Sequence, residues 1–488
     1  MKYDIHSRQA GIILPMAALP SNSGIGDFGN EAKEFVKIIS KMGFKIWQIL
    51  PLNPSSDGNS PYTPFSSFAI DEIYIDINAL KKNKLITKKS NIKNTGRVQY
   101  DQVRSYKRKK LEEAFNAFKS TNYKKEEYKA FTKEAFWLDD YALYMALKYK
   151  NKNKPWDKWN KQDKDNPSKK GLTKIINYHK FVQFIAFEQF KEIHTYAKKH
   201  EVTLLGDLPF YVGYDSSDVY NNKKCFDLDE NELPVFVSGA SPDYFNADGQ
   251  LWNHPTYDWK YLKDNNYKYW VDRFKWTSYL FDVIRIDHFR AIDTYWQIPY
   301  GETTARNGHY EEGPSYSFMD SIFNQIPHLN MVVEDLGDIR PEVEQLRDAY
   351  DLMGMKVIQY CFDQDYAIDN YRLPKNCIVY TGTHDNAPLA GWYNGLLDND
   401  KERIYNILRS FNYPMYNIDY LLMYHVFATD CDIAITQVQD ILGRGNEARY
   451  NLPGTISDDN WTWRLEDFEE FKGKHDIISE ILKRTSRV

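Results

Sequence analysis

Cysteine is scarce in this chain. Cys225, Cys361, Cys377 and Cys431 lie far apart and none sits in a Cys-x-x-Cys spacing. This excludes a disulfide framework or a cysteine zinc site and predicts free thiols in a reducing compartment. Long apolar runs are also missing: none approaches the roughly 18 residues of a membrane span. The run "GIILPMAALP" follows Asp4, His6 and Arg8 and is broken by Pro15, so it reads as a first strand rather than a signal peptide. A positive excess is absent too. The formal net charge of -5 excludes the basic footprint of a dedicated nucleic-acid binder. No repeat, long low-complexity tract or calcium-binding loop is evident. These absences together predict a cytoplasmic protein that engages neither membrane nor nucleic acid and holds no metal or cofactor.

What is present is an ordinary globular composition, 42% apolar and 27% charged, with 12 Trp and 37 Tyr to supply flat faces. Eight short apolar runs read as strands: 11–16, 46–52, 202–210, 282–289, 331–337, 355–360, 377–385 and 433–442. Amphipathic segments such as 28–43 and 340–354 lie between them, each ending at a glycine. Near-continuous apolar strands alternating with helices predict a parallel sheet. Eight units predict a (β/α)8 TIM barrel, which needs about 250 residues. The 488 residues are therefore read as a single catalytic barrel with large insertions. Residues 80–200 form a mostly helical subdomain between strands 2 and 3, and 211–270 a loop-rich one between strands 3 and 4. The Lys-rich helices of the first insertion carry interspersed acids, which favours a solvated face over an anionic partner.

Four of the predicted strands end in carboxylates: Asp207, Asp287, Glu334 and Asp385. Active-site groups of a parallel barrel sit at the C-terminal strand ends, so all four can face one cleft. Glycosidic bond cleavage needs such a set, one carboxyl to protonate the departing oxygen and a second to attack or stabilise the sugar carbon. Alternation places Val283, Arg285 and Asp287 on one face. Arg285 is thus expected to keep Asp287 ionised, while Glu334, without a cation two residues away, is freer to stay protonated. A structural reading, with acids capping helices and Arg285 in a packing ion pair, covers any one of these residues but not all four together.

"GDLPF", "RIDHF", "VEDLG" and "GTHDN" resemble the four signature regions of the α-amylase clan, in the form found in amylomaltases (4-α-glucanotransferases, glycoside hydrolase family 77). Supporting segments include "SPYTPFSSFA", "PDYFNADGQLW", "GMKVIQY", "ARYNLPGT" and "NWTWR". The resemblance covers about residues 10–465. It implies transfer of α-1,4-glucan segments among maltooligosaccharides, with glucose as an acceptor, and no β-sandwich after the barrel. It implies Asp287 as nucleophile, Glu334 as acid and base, and Asp385 with His384 gripping the donor ring. Arg285 and Asp207 would support the nucleophile. Tyr62 and Ser60 would line the cleaved sugar's subsite, Trp252 and Gln250, in a mobile lid loop, the acceptor side, and Asp243 and Asn451 would also bind. Retention requires the carboxyls of Asp287 and Glu334 about 5–5.5 Å apart. The sequence departs from the family pattern at Ala291, His254, Ala387 and Pro388, which bears on donor length rather than on the reaction. The residues alone leave hydrolysis of α-1,4-glucans, or silent glucan binding, open beside transfer.

Overall fold

Eight parallel strands run side by side in the computed structural model, which describes residues 4–488 apart from 56, 93–94, 244–245, 363–372 and 415. They are β1 (Gln9–Ile13), β2 (Ile46–Gln48), β3 (Thr203–Leu208), β4 (Val283–Ile286), β5 (Met331–Val333), β6 (Gly354–Val357), β7 (Cys377–Tyr380) and β8 (Ile433–Gln437). β8 returns to pair with β1, Gln9 opposite Ile433. The seam between β5 and β6 is held by a bridge from Val332 to Met353 and by the Val333 N–H donating to the Met353 carbonyl at 2.9 Å. The result is a closed (β/α)8 barrel.

Every predicted strand region overlaps one of these strands, though β1 starts at Gln9 and β6 at Gly354, ahead of the runs 11–16 and 355–360. Alternate side chains explain why the runs are so apolar. Ile13, Ile46, Leu205, Val283, Ile378 and Ile433 fill the barrel interior. Their neighbours Ile12, Trp47, Leu204, Ile284, Val379 and Ala434 pack outward under the helices, so both faces are buried. The strands are shorter than their apolar runs. After Val357 and after Gln437 the chain turns into one-turn helices, Ile358–Cys361 and Val438–Ile441, whose apolar residues Ile358, Cys361, Val438 and Ile441 are buried as the strand residues are.

The helix Asn30–Met42 ends at Gly43, whose φ of 107° suits a residue without a Cβ. The second expected glycine stop is different. Pro341–Ala349 ends before Gly354, which instead opens β6, where a Cβ would sit 2.4 Å from the Asp335 carboxylate.

Between β2 and β3 lie the helices Ile77–Lys82, Tyr100–Lys119, Lys125–Glu134, Leu138–Lys150, Lys161–Asp165 and Thr173–Lys199, joined by an aromatic core around Trp137, Phe181 and Phe187. Between β3 and β4, the stretch read as loop-rich contains the strands Phe236–Ala240 and Gln250–Pro255. With Thr294–Pro299 and His309–Glu312 they form a four-stranded antiparallel sheet. Beyond β8, the helix His475–Arg484 packs against Asn30–Met42. Among the described residues no helix is long and apolar enough to cross a membrane.

Candidate active site

The register of β3, β4 and β5 assembles the centre. Asp207 is paired with Arg285 across β3 and β4, and Ile286 with Val333 across β4 and β5. Asp287 and Glu334, the next residue on each strand, therefore leave the barrel mouth side by side, with backbones about 4.8 Å apart as in any adjacent pair. The Glu334 N–H donates to the Ile286 carbonyl at 3.0 Å and locks this register.

Beneath them is a buried charge network. One guanidinium nitrogen of Arg285, Nη1, donates to both carboxylate oxygens of Asp207 at 2.8 and 2.7 Å and lies 3.0 Å from Asp287 Oδ1. The Tyr62 hydroxyl donates to Asp207 Oδ2 at 2.7 Å. Arg285 and Asp207 are almost wholly sealed from solvent, whereas Asp287 is partly open to the cleft. Stranding a guanidinium at such depth costs roughly 3–5 kcal/mol, so Asp207 is as much a structural partner as a site residue.

The carboxyls differ electrostatically because their surroundings differ. Burial is the largest influence on Asp287 and raises it; Arg285 pulls it down, Asp207 pushes it further up, and it rests at about 6. Arg285 lowers this carboxyl as the same-face pairing predicts, but does not cancel dehydration and the neighbouring acids. Glu334 is pushed higher, to about 7, by burial first and by the charge of Asp287, against Arg285 and two backbone N–H donors. Those donors are His288 at 2.8 Å and Leu336 at 3.0 Å, and they fix the carboxyl's orientation. His288 is held for this with φ of 50°. Burial would also raise Asp385, yet the adjacent His384, the Asn451 amide and Arg285 hold it at about 2. Its oxygens meet His384 Nε2 at 3.3 Å and Asn451 Nδ2 at 2.6 Å. His384 is raised in turn: burial opposes its charge, and Asp385 outweighs burial.

One wall is aromatic. Tyr62 stacks on His384 with centroids 4.9 Å apart, and Trp461 backs both at 6.0 and 5.9 Å. Ser60 Oγ accepts from the Tyr62 N–H at 3.3 Å. Opposite, Trp252 stands edge-on to His288 at 4.8 Å and donates to Gln250 Oε1 at 3.2 Å. Both residues lie in the strand Gln250–Pro255, not in the mobile loop expected of them. The four-stranded sheet holds that segment through main-chain bonds. Asp243 sits in an exposed turn whose Asn246 N–H it accepts; residues 244–245 of the same loop lie outside the described residues. Asp287, Asp385, Arg285, Asp207, His384, Tyr62, Ser60 and Asn451 are thus joined by direct contacts, with Glu334, Trp252 and Gln250 tied in through His288.

Four participants went unread in the sequence. Arg449 donates to the Asp385 and Asn451 carbonyls; it lay in the noted segment "ARYNLPGT" without an assigned part. Trp461 lay in the noted segment "NWTWR" without an assigned part. The N–H groups of His288 and Leu336 carry no side-chain signal at all.

A barrel whose mouth presents two carboxyls at adjacent strand ends, both pushed up by burial, a third held low, and an aromatic wall has the groups that glycosidic-bond chemistry needs. The comparisons agree. The family profile described as 4-alpha-glucanotransferase, of glycoside hydrolase family 77, matches residues 14–469. A 4-alpha-glucanotransferase of Aquifex aeolicus is 37% identical, covering 97% of this chain and 98% of its own. One of Clostridium butyricum is 38% identical over 93% and 95%. The solved amylomaltase of Streptococcus agalactiae in complex with acarbose superposes with a TM-score of 0.93 at 30% identity, covering 98% of this chain and 99% of that one. The chain belongs to glycoside hydrolase family 77, the 4-α-glucanotransferases.

Proposed function

We propose that this 4-α-glucanotransferase moves α-1,4-glucan segments between maltooligosaccharides, with glucose as the smallest acceptor, through a covalent glycosyl-enzyme on Asp287. Asp287 Oδ attacks the anomeric carbon as the bond to the leaving sugar's O4 breaks, and Glu334 gives its proton to that oxygen. In the second half-reaction Glu334 takes a proton from the 4-hydroxyl of the acceptor, which attacks the same carbon and frees Asp287. Asp385 and His384 grip the hydroxyls of the distorted donor ring. Tyr62 stacks on that ring and Ser60 lines its subsite. Arg285 and Asp207 hold the nucleophile, while Asn451 steadies Asp385. Trp252, Gln250 and Asp243 serve the acceptor side. The observation that carries this reading is the pairing of Asp287 and Glu334 at adjacent strand ends, with the second carboxyl pushed up to about 7 and the first to about 6. Transfer over hydrolysis is supported by relatives named 4-alpha-glucanotransferase. The buried free thiols support a reducing, cytoplasmic setting, and the two insertions read as subdomains of the one catalytic barrel.

Incubation with maltotriose alone tests the reaction. Glucose together with products longer than maltotriose is the expected result; glucose and maltose alone would mean hydrolysis, and no turnover would mean silent binding. The pH profile follows from the two carboxyls. The active form has Asp287 ionised and Glu334 protonated, so kcat/KM rises as pH climbs through about 6 and falls as it climbs through about 7. These two values belong to the pair, which titrates together. A profile with no alkaline limb would remove Glu334 as the acid.

A further inference from the structure

A second concavity, of about 310 Å3, lies between the inserted helices and the outer wall of the barrel. Its size falls at the low end of the range, roughly 300–1,000 Å3, in which proteins hold small molecules. Phe136 forms its lip. The ring is fixed edge-on to Phe68 and Trp276, with centroids at 5.5 and 6.1 Å, yet 52% of the residue remains exposed. An apolar ring left this open, and held this rigidly, is a ready stacking platform.

Acceptor groups surround it. Asn221 and Asn265 each turn their Nδ2 back to a carbonyl of their own turn, Ser217 and Tyr261, at 2.8 Å, which leaves the amide oxygens as acceptors. Asp140 is raised by burial and by Asp139, with only distant relief from Lys169. The other lining acids are already satisfied: Asp218 accepts from the Ser67 N–H and the Tyr269 hydroxyl at 2.8 Å each, and Asp272 pairs with Lys268 at 2.5 Å. An aromatic face beside one carboxylate and two amide oxygens suits a neutral ligand that offers a flat C–H face and a ring of hydroxyl donors. It does not suit an anion, which Asp140 would repel.

We propose that this concavity is a second α-glucan-binding site, resting on the reading of the chain as an α-glucan transferase. A sugar ring stacks on Phe136, and its hydroxyls donate to Asp140, Asn221 and Asn265. Ser66 and Phe68 also line it, in the same chain segment as Ser60 and Tyr62. A glucan long enough to occupy both this concavity and the cleft gains from the raised effective concentration of its free end. Short donors gain nothing from it.

The test uses the full-length enzyme with Phe136→Ala and Asp140→Lys. The second substitution leaves the aromatic packing in place and fills the pocket with a wrong charge. The expected result is that kcat/KM on amylose, divided by kcat/KM on maltotriose, falls at least fivefold in each variant. Retardation in a gel containing amylopectin is expected to weaken as well, down to what the cleft alone provides. A ratio within twofold of the unaltered enzyme for Asp140→Lys, with retardation intact, would overturn the proposal whatever Phe136→Ala does. If the unaltered enzyme makes no longer products from maltotriose, the transfer reading fails instead, and the gel alone then decides the pocket.

Discussion

Asp287→Ala is expected to lower kcat/KM on maltotriose by on the order of 10^4–10^6-fold, the range seen when a covalent nucleophile is deleted. The fold should survive, because Arg285 keeps its two contacts to Asp207 and loses only the partly exposed partner at 3.0 Å. Removing Asp287 also opens a small space beneath the anomeric carbon. Azide entering it would attack from that face while Glu334 still protonates the leaving oxygen. The product is a glycosyl azide of inverted, β configuration. Activity within tenfold of wild type, or an azide adduct of retained configuration, would remove Asp287 as the nucleophile.

Glu334→Gln is expected to cost about 10^2–10^4-fold on maltotriose, the contribution of a positioned general acid. His288 and Leu336 donate to different carboxylate oxygens; the single amide oxygen keeps one of these N–H groups and the NH2 faces the other, so the side chain shifts locally while the strand register that places it is untouched. The loss depends on the leaving group. α-Maltosyl fluoride departs without a proton, so glycosylation of Asp287 proceeds. The second step lacks its base and the glycosyl-enzyme accumulates. Intact-protein mass spectrometry should show one added maltosyl unit, located on the peptide containing Asp287. An equal loss on the fluoride and on maltotriose, with no adduct, would contradict the assignment.

Much of this site was legible because a barrel writes it into its strands. Arg285 and Asp287 stand out against Val283, Ile284 and Ile286 because the rest of the run is apolar on both faces. The antiparallel sheet was far less legible. His309–Glu312 buries none of its residues, and Gln250–Pro255 buries only its last two, so neither shows the alternation that marks a strand. The loop expected around Trp252 was misread for the same reason: its strand is held by main-chain bonds, which side-chain patterns do not report. Arg285 was read with Asp287, two positions along its own strand, whereas its closest partner is Asp207, 78 residues earlier.

The eight strand regions, the carboxylates at their ends and the family were determined by the sequence alone, because local apolar runs and terminal acids are properties of short segments. Only the tertiary structure decided how those acids titrate and where the second concavity lies. Burial and the field of residues far apart in the chain set both the order of Asp287 and Glu334 and the strength with which Asp385 stays ionised. The pocket at Phe136 exists only where the inserted helices meet the barrel wall.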